Sequence, residues 1–129
     1  MSKLSNEVKK FLGENGIWVF ATCSDKPNAG PVFFKKIDEQ DNIILFDIFM
    51  NKRLENLAKN SNVSLTVFNA QTSQGYQICG TATYSTDAAL VKEGNEQSGK
   101  MNLTTKGAVV IKAEDVYVQT PGPDVGKKL

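Results

Sequence analysis

The sequence predicts a mainly β protein: a small antiparallel barrel of six to seven short strands with two or three helices inserted. Two observations support this fold class. Short runs rich in β-branched and aromatic residues recur along the chain, and polar or glycine- and proline-containing turns separate them. The 129 residues show no internal repeat and no linker, so we expect a single domain spanning residues 1–129.

Seven segments have the composition of strands, with the last two forming one interrupted strand. They lie at 17–24, 31–37, 43–46, 63–68, 75–85, 107–112 and 116–119. Pro31 cannot donate to a strand ladder, which predicts a strand start or a sheet edge. Phe33 and Phe34 are adjacent in the second segment, so we expect them to point to opposite faces of that strand. Gly80, inside a strand, indicates a bulge or a close backbone approach.

Two helices are predicted outside the central part of the chain. Leu4, Val8, Phe11 and Leu12 share one face of an opening helix, which Ser5 or Asn6 can cap. A second helix is predicted over 88–96. Residues 120–129 are rich in proline, glycine and charge, and we expect a loosely ordered tail there unless a partner holds it.

The stretch from Ile43 to Val67 reads as strand, loop, short helix and strand, with Asn51 as the expected N-cap. Lys52 and Arg53 then fall in the first helical turn, where the positive end of the helix dipole disfavours cations. A bound anion would resolve that conflict. Arg53 is the one arginine of the sequence, and its planar fork suits a phosphate. We therefore predict a phosphate site here; the alternative is a solvated basic turn.

Composition excludes several classes of chemistry. The chain contains no histidine, which excludes Ser–His and Cys–His catalysis and histidine-ligated zinc, and we expect no metal site. A formal net charge of +1 argues against nucleic-acid and membrane partners. No apolar run reaches the ~20 residues of a membrane span, and no signal-peptide core is visible, so we expect a cytoplasmic protein. Cys23 and Cys79 are expected to be buried, reduced thiols.

Four segments, in this order and spacing, resemble the pyridoxamine 5′-phosphate oxidase-like family of FMN-binding split β-barrels. They are VFFKK at 32–36, LFD at 45–47, NKRLENLAKNSNVSL at 51–65 and GYQICGTA at 75–82. The resemblance covers residues 17–83, about half of the chain. By its length the chain is similar to the short FMN-binding proteins of this superfamily rather than to the oxidase itself.

The resemblance implies a split-barrel homodimer with FMN at each subunit interface. The basic pair Lys52 and Arg53, with Asn51 beside it, would hold the FMN phosphate. The strand that carries the V-x-x-K pattern would lie along the flavin and supply backbone contacts. Phe46 and Asp47 would form the strand end that precedes the phosphate loop. The implied cofactor-binding residues are thus Pro31, Val32, Phe33, Phe34, Lys35, Phe46, Asp47, Asn51, Lys52 and Arg53.

The sequence departs from the oxidase at three places. Gly30 stands where the oxidase has an arginine, and Gly75 stands where it has a glutamine that meets the flavin. The substrate-gripping C-terminal segment of the oxidase has no counterpart in residues 104–129. These departures argue against oxidation of pyridoxamine phosphate. Lys35 matches a substrate-contacting lysine, and both a role near the flavin and that of a surface lysine remain open.

Three functional hypotheses follow. The first is an FMN-dependent oxidoreductase whose small-molecule redox partner the sequence does not identify. The second is a non-catalytic flavin-binding or electron-carrier protein. The third keeps the fold but replaces FMN with a deazaflavin or a haem; the absence of histidine counts against haem.

Overall fold

A computed structural model describes residues 4–129, which form a curled seven-stranded antiparallel sheet with three helices. The mainly β split-barrel prediction is therefore confirmed. In chain order the elements are α1 (Asn6–Glu14), β1 (Trp18–Thr22), β2 (Asn28–Val32), β3 (Lys35–Ile37), β4 (Ile43–Asp47), α2 (Lys52–Lys59), β5 (Asn62–Phe68), β6 (Gly75–Ser85), α3 (Ala88–Ser98) and β7 (Gly107–Val118). A 3-10 turn at Gly99–Met101 follows α3.

The connection between β2 and β3 explains why the sheet curls. The strand order is β2-β1-β5-β6-β7-β4-β3, so two strands that are consecutive in sequence lie at opposite edges. In a flat sheet, six inter-strand spacings would separate these edges by about 29 Å. Only Phe33 and Phe34 connect them, and three Cα steps span at most about 11 Å. The sheet must therefore bend until its two edges approach each other.

The predicted strand at 31–37 is two strands, which corrects the prediction. β2 pairs with β1 up to Val32, opposite Trp18, whereas β3 pairs with β4 from Lys35, opposite Leu45. The chain changes partner strands at Phe33 and Phe34, so these two residues do not alternate across one sheet. Pro31 lies in an edge strand, where a missing N–H is tolerated, as predicted.

The main core fills the concave side of the curled sheet and includes α1. Val8, Phe11 and Leu12 of α1 are buried, and Phe11 meets Tyr76 edge to face with ring centroids 5.1 Å apart. The Ser5 side chain caps this helix by accepting a hydrogen bond from Val8 N at 3.2 Å, which confirms one of the two caps predicted.

Strand β4 is buried at all five positions, because both of its faces are covered. Ile43 and Leu45 belong to the main core, whereas Ile44 and Phe46 join a smaller cluster with Ala108. Phe34 and Leu90 pack against this second cluster, so α3 lies over the outer face of β4. Burial on two faces accounts for the continuous apolar run in this part of the sequence.

A β-bulge confirms the irregularity predicted at Gly80. The β6–β7 register passes from Cys79 opposite Asp115 to Gly80 opposite Ala113, so Glu114 is the extra residue. A Cβ atom at Gly80 would lie 2.1 Å from the carbonyl oxygen of Lys112. β7 consequently continues through the point where the sequence indicated an interruption.

Three further expectations are revised. Cys23 is exposed and Cys79 is partly buried; both are free thiols, so the prediction of buried thiols is wrong. Cys23 lies just beyond the last residue of β1, outside the buried part of that strand. Helix α3 continues to Ser98, two residues beyond the predicted end.

The C-terminal tail, which we expected to be loosely ordered, lies along the end of β7. Leu129 N donates to Val116 O at 2.8 Å, and Gly126 N donates to Val118 O at 2.7 Å. Lys128 forms an ion pair with Asp115 at 3.0 Å. Within residues 4–129 no helix is long and apolar enough to cross a membrane.

Replacing Gly80 tests the bulge. Gly80→Ala should lower the free energy of unfolding by about 1–3 kcal/mol, because backbone on β7 must move to admit the new methyl group. Urea unfolding followed by circular dichroism measures the change. Gly13→Ala is the matched control, since a Cβ there has no atom within 4 Å, and it should leave stability equal or slightly higher. Equal stability of the Gly80→Ala protein and the wild type would contradict the close approach.

Candidate functional site

A cavity of about 470 Å³ lies where the two edges of the sheet approach each other. Its wall combines the β2–β3 connection, the end of β4, the turn before α2, the first turn of α2 and the loop after α3. The lining residues are Pro31, Val32, Phe33, Phe34, Phe46, Ile48, Phe49, Met50, Arg53, Met101 and Leu103. Three stretches that are distant in sequence, residues 31–34, 46–53 and 101–103, therefore form one site.

The cavity wall is apolar with one exception. Of its lining residues, only Arg53 carries a charge or a titratable group. At the rim, Phe33, Phe49 and Met101 are 69%, 65% and 65% exposed. Large apolar side chains exposed together around an opening are typical of a surface that a ligand or another protein covers.

Arg53 lies against the backbone of β2. Its Nη1 donates to the carbonyl oxygens of Gly30 at 3.1 Å and Pro31 at 3.3 Å. A Cβ atom at Gly30 would lie 3.2 Å from the guanidinium carbon, so a larger residue at 30 would press on this group. Within the described chain, Nε and Nη2 make no hydrogen bond. These N–H groups remain available to an anion.

Backbone hydrogen bonds hold Arg53 in the first turn of α2. Met50 O accepts from Arg53 N at 2.9 Å, and Asn51 O accepts from Leu54 N at 3.0 Å. Asn51 occupies the N-cap position but its side chain makes no capping hydrogen bond, so the predicted cap is wrong in that respect. The reason is its backbone, whose φ of 40° and ψ of −97° differ from the extended conformation of a capping residue.

Lys52, the other predicted phosphate ligand, lies outside the cavity lining. Its side chain is 76% exposed, and its Nζ is 3.1 Å from Oε2 of Glu55, one turn along the helix. An exposed pair of this kind contributes little to stability, so the side chain can move at small cost. The predicted basic pair therefore divides into a wall residue, Arg53, and an exposed cation outside the lining, Lys52.

Lys35 is directed away from the cavity. Its ammonium group donates to the carbonyl oxygens of Gly16, Val32 and Phe33, and lies 5.1 Å from the centre of the Trp18 ring. Burial lowers the pKa of this lysine. All three N–H bonds of the ammonium are thus used by the protein itself.

The backbone of Lys35 is occupied as well. Its N–H donates to Gln97 Oε1, and its carbonyl oxygen accepts from Gln97 Nε2, each at 3.2 Å. The amide of Gln97 thereby replaces a neighbouring strand at the edge of the sheet. It fixes α3 to β3, directly after the Phe33–Phe34 connection.

Asp47 is buried next to the cavity but does not line it. Its Oδ1 accepts from Met50 N at 3.1 Å, and its Oδ2 accepts from the hydroxyl of Tyr84 at 2.7 Å. Desolvation by burial raises the pKa of Tyr84, and the hydrogen bond to Asp47 and its charge raise it further. The carboxylate therefore contacts the protein and not the cavity space.

The structure thus unites six of the ten predicted site residues in one wall and reveals five others. The six are Pro31, Val32, Phe33, Phe34, Phe46 and Arg53; the additional residues are Ile48, Phe49, Met50, Met101 and Leu103. Three of the additional residues directly follow the predicted strand end: Ile48, Phe49 and Met50. Their position next to that strand end in the sequence was enough to indicate them. Met101 and Leu103 are far in sequence from every predicted site residue, so nothing in the sequence indicated them.

Contacts at the end of α3 place Met101 and Leu103. The hydroxyl groups of Ser98 and Thr105 are hydrogen-bonded at 2.9 Å, and Thr105 N donates to Asn95 Oδ1 at 2.9 Å. A Cβ atom at Gly94 would lie 2.5 Å from Cγ2 of Thr105. These buried contacts fold the loop after α3 back over the cavity.

Both the sequence and the fold are similar to those of known proteins. The sequence model of the pyridoxamine 5′-phosphate oxidase family matches residues 4–120. The uncharacterized protein MJ0282 of Methanocaldococcus jannaschii is 40% identical over 131 residues, covering 97% of this chain and 87% of its own.

Solved structures share the fold at low sequence identity. HupZ of Group A Streptococcus superimposes with a TM-score of 0.79 at 18% identity, covering 95% of this chain and 98% of its own. An FMN-binding protein from Syntrophomonas wolfei superimposes with a TM-score of 0.78 at 13% identity, covering 90% and 86%. The family match spans most of the sequence, and the chain belongs to the pyridoxamine 5′-phosphate oxidase family.

Proposed function

We propose that this protein binds FMN in the cavity beside α2 and acts as an FMN-dependent oxidoreductase. One observation carries the proposal: an apolar cavity of about 470 Å³ has a single charged lining residue, Arg53, at the start of a helix. That volume falls within the range of about 300–1,000 Å³ typical of small-molecule sites. A flat aromatic ligand with one phosphate matches this distribution of apolar surface and positive charge.

The residues present fit the two halves of FMN. The apolar wall formed by the β2–β3 connection and by Phe46 would take the ring system. Arg53 would donate Nε and Nη2 to the phosphate, and the positive end of the α2 dipole would add to its attraction. Lys52 would act from the rim as a second, solvent-exposed cation. Lys35 is already hydrogen-bonded to three carbonyl groups, so we assign it no contact with the phosphate.

When bound, FMN would supply reversible electron and hydride transfer, while the protein supplies position and electrostatics. The chain's own contribution would be to exclude water from the ring with apolar side chains. No lining residue is suited to shuttle protons, because the guanidinium group of Arg53 stays protonated at neutral pH. Protons would come from water or from a group on another molecule.

Two relationships support the proposal. The family of this chain is named for pyridoxamine 5′-phosphate oxidase, and one protein of the same fold is an FMN-binding protein.

The cavity lining contains no second cation that could bind a phosphorylated substrate beside the phosphate of FMN. We therefore propose a substrate other than pyridoxamine phosphate.

We further propose a homodimer in which a second subunit covers the cavity. Phe33, Phe49 and Met101 form an exposed apolar rim around it, and such a rim favours association. A C2 pair would place the same rim on both subunits. The bound cofactor would then lie at the subunit interface.

A flavin carrier without turnover of its own is the second candidate. The observation that favours it is the lack of a titratable side chain other than Arg53 in the cavity wall. A carrier needs only to bind and protect the flavin, whereas most substrate oxidations also need a positioned acid or base.

Flavin retention tests the cofactor. The wild type should keep FMN absorbance bands after incubation with FMN and desalting, whereas a deazaflavin or a haem would give a different spectrum. Arg53→Gln should weaken FMN binding by about 10- to 100-fold, since hydrogen bonds to a charged group are lost. Lys52→Gln should have a smaller effect, and Lys59→Gln, at the other end of α2, is the charge-matched control. A wild type that keeps no flavin would refute the proposal.

Sedimentation tests the dimer. The wild type should sediment as a dimer, whereas Phe33→Ser and Phe49→Ser should shift it toward monomer and weaken FMN retention together. Val125→Ser removes a similarly exposed apolar side chain from the tail and should change neither property. A monomeric wild type that retains FMN would contradict an interface site.

Turnover separates the enzyme from the carrier. With FMN bound, an oxidoreductase should accelerate electron transfer from a nicotinamide donor to an acceptor above the rate of free FMN. Stopped-flow reduction followed by steady-state assays with several acceptors measures this rate. Flavin that is reduced by dithionite but gives no acceleration with any donor and acceptor pair would instead support the carrier.

A further inference from the structure

We infer that Tyr84 and Asp47 position Arg53, and through it the anion-binding end of the cavity, although neither side chain lines the cavity. This inference rests on the proposed FMN site and assigns it two positioning residues. Tyr84 lies on β6 and Asp47 at the end of β4, and Asp47 in turn accepts a hydrogen bond from Met50 N in the turn that precedes α2.

The carboxylate of Asp47 is almost completely buried and fully used. Asp47 is 2% exposed, and its two oxygens accept from Met50 N and from the Tyr84 hydroxyl. Its backbone carbonyl oxygen accepts from Lys106 N at 2.9 Å. Burying a carboxylate is costly unless it is hydrogen-bonded, so these contacts determine where the turn can lie.

The hydrogen bonds continue from Asp47 to Arg53. Asp47 holds the amide of Met50, and the carbonyl oxygen of the same Met50 accepts from Arg53 N at 2.9 Å. One peptide segment therefore connects the buried carboxylate to the first turn of α2. The side chain of Arg53 then reaches back to Gly30 and Pro31 on β2.

The turn between these two hydrogen bonds needs outside support. Asn51 has a φ of 40° and a ψ of −97°, a conformation that costs free energy for a residue with a Cβ atom. Such a conformation persists when surrounding contacts over-determine it. Asp47 supplies one contact before Asn51, and the first hydrogen bonds of α2 supply those after it.

Electrostatics connects the same residues. Burial lowers the pKa of Arg53, whereas the negative charge of Asp47 raises it, so the carboxylate stabilises the charged guanidinium. Because Asp47 lies behind the cavity wall, its charge favours Arg53 without occupying the space of a bound phosphate. The same charge reduces the positive potential that a phosphate would meet.

Tyr84 reaches Asp47 because β7 has no side chain in its path. A Cβ atom at Gly107 would lie 2.4 Å from the Tyr84 hydroxyl oxygen, and Gly107 pairs with Asp47 in the β4–β7 register. The glycine leaves the space in which the phenol and the carboxylate meet. The Tyr84 hydroxyl is protonated, and therefore a donor, at neutral pH, and the raised pKa moves its ionisation further from that range.

Tyr84→Phe tests the positioning role, with Tyr76→Phe as control. Tyr76 lies on the same strand, and its hydroxyl has no hydrogen-bond partner within residues 4–129. Tyr84→Phe should weaken FMN binding about three- to tenfold, a typical coupling between linked residues. Without FMN it should also speed hydrogen exchange at the amides of Met50 and Arg53. Tyr76→Phe should change neither the affinity nor the exchange.

Asp47→Asn separates placement from charge. The asparagine keeps an oxygen for Met50 N and can donate its amide to the Tyr84 oxygen, while it removes the negative charge. Its FMN affinity should equal or exceed that of the wild type, because the phosphate then meets a higher positive potential. Clearly weaker FMN binding by this variant with unchanged exchange at Met50 would overturn the inference.

Two further outcomes keep this inference apart from the proposed function. Unchanged affinity and unchanged exchange in Tyr84→Phe would overturn the positioning role even if the wild type binds FMN. A wild type without FMN affinity, combined with faster exchange at Met50 and Arg53 in Tyr84→Phe, would refute the flavin proposal. The second result would still support the role of the pair in placing Arg53.

Discussion

The short connection between the two edge strands governs the rest of this structure. β2 and β3 lie at opposite edges of a seven-stranded sheet, yet only Phe33 and Phe34 separate them. The sheet must curl to satisfy this connection, and the curl brings together the end of β4, the start of α2 and the loop after α3. The cavity follows from that closure, because its wall is made of the segments that meet there.

The closure of the sheet also determines where the positive charge of the site lies. The apolar wall comes from residues that the closing sheet partly covers, and the single cation comes from the helix that follows the buried strand β4. Arg53 rests on β2 because Gly30 leaves room for its guanidinium group. An arginine on α2 therefore contributes the positive charge beside Gly30.

Much of the fold was predictable from local sequence because the local signals agree with the final packing. The run at Ile43–Phe46 is a buried strand, Ser5 caps α1, and Gly80 stands at a bulge, as their residue types indicate. The prediction failed at Phe33 and Phe34, where the chain changes partner strands within an unbroken apolar run. No periodicity can reveal that change, because it depends on pairings with β1 and β4.

The candidate site was predictable only in part, for a similar reason. Arg53 carries a local signal, a cation at the start of a helix, and the structure places it in the cavity wall. Lys35 belongs to a comparable motif, but its ammonium group contacts the Gly16 carbonyl oxygen and the Trp18 ring, on the side away from the cavity. Met101 and Leu103 reach the cavity through contacts of Ser98 and Thr105, and no pattern in residues 99–106 indicates that position.

Comparison of FMN with riboflavin tests the central claim most directly, because the two ligands differ only by the phosphate. Their dissociation constants, measured for the wild type and for Arg53→Gln, form a cycle that isolates the coupling between Arg53 and the phosphate. We expect the wild type to bind FMN at least about tenfold more tightly than riboflavin, and Arg53→Gln to remove most of this preference. An equal preference for FMN in both proteins would contradict the assignment of the phosphate to Arg53.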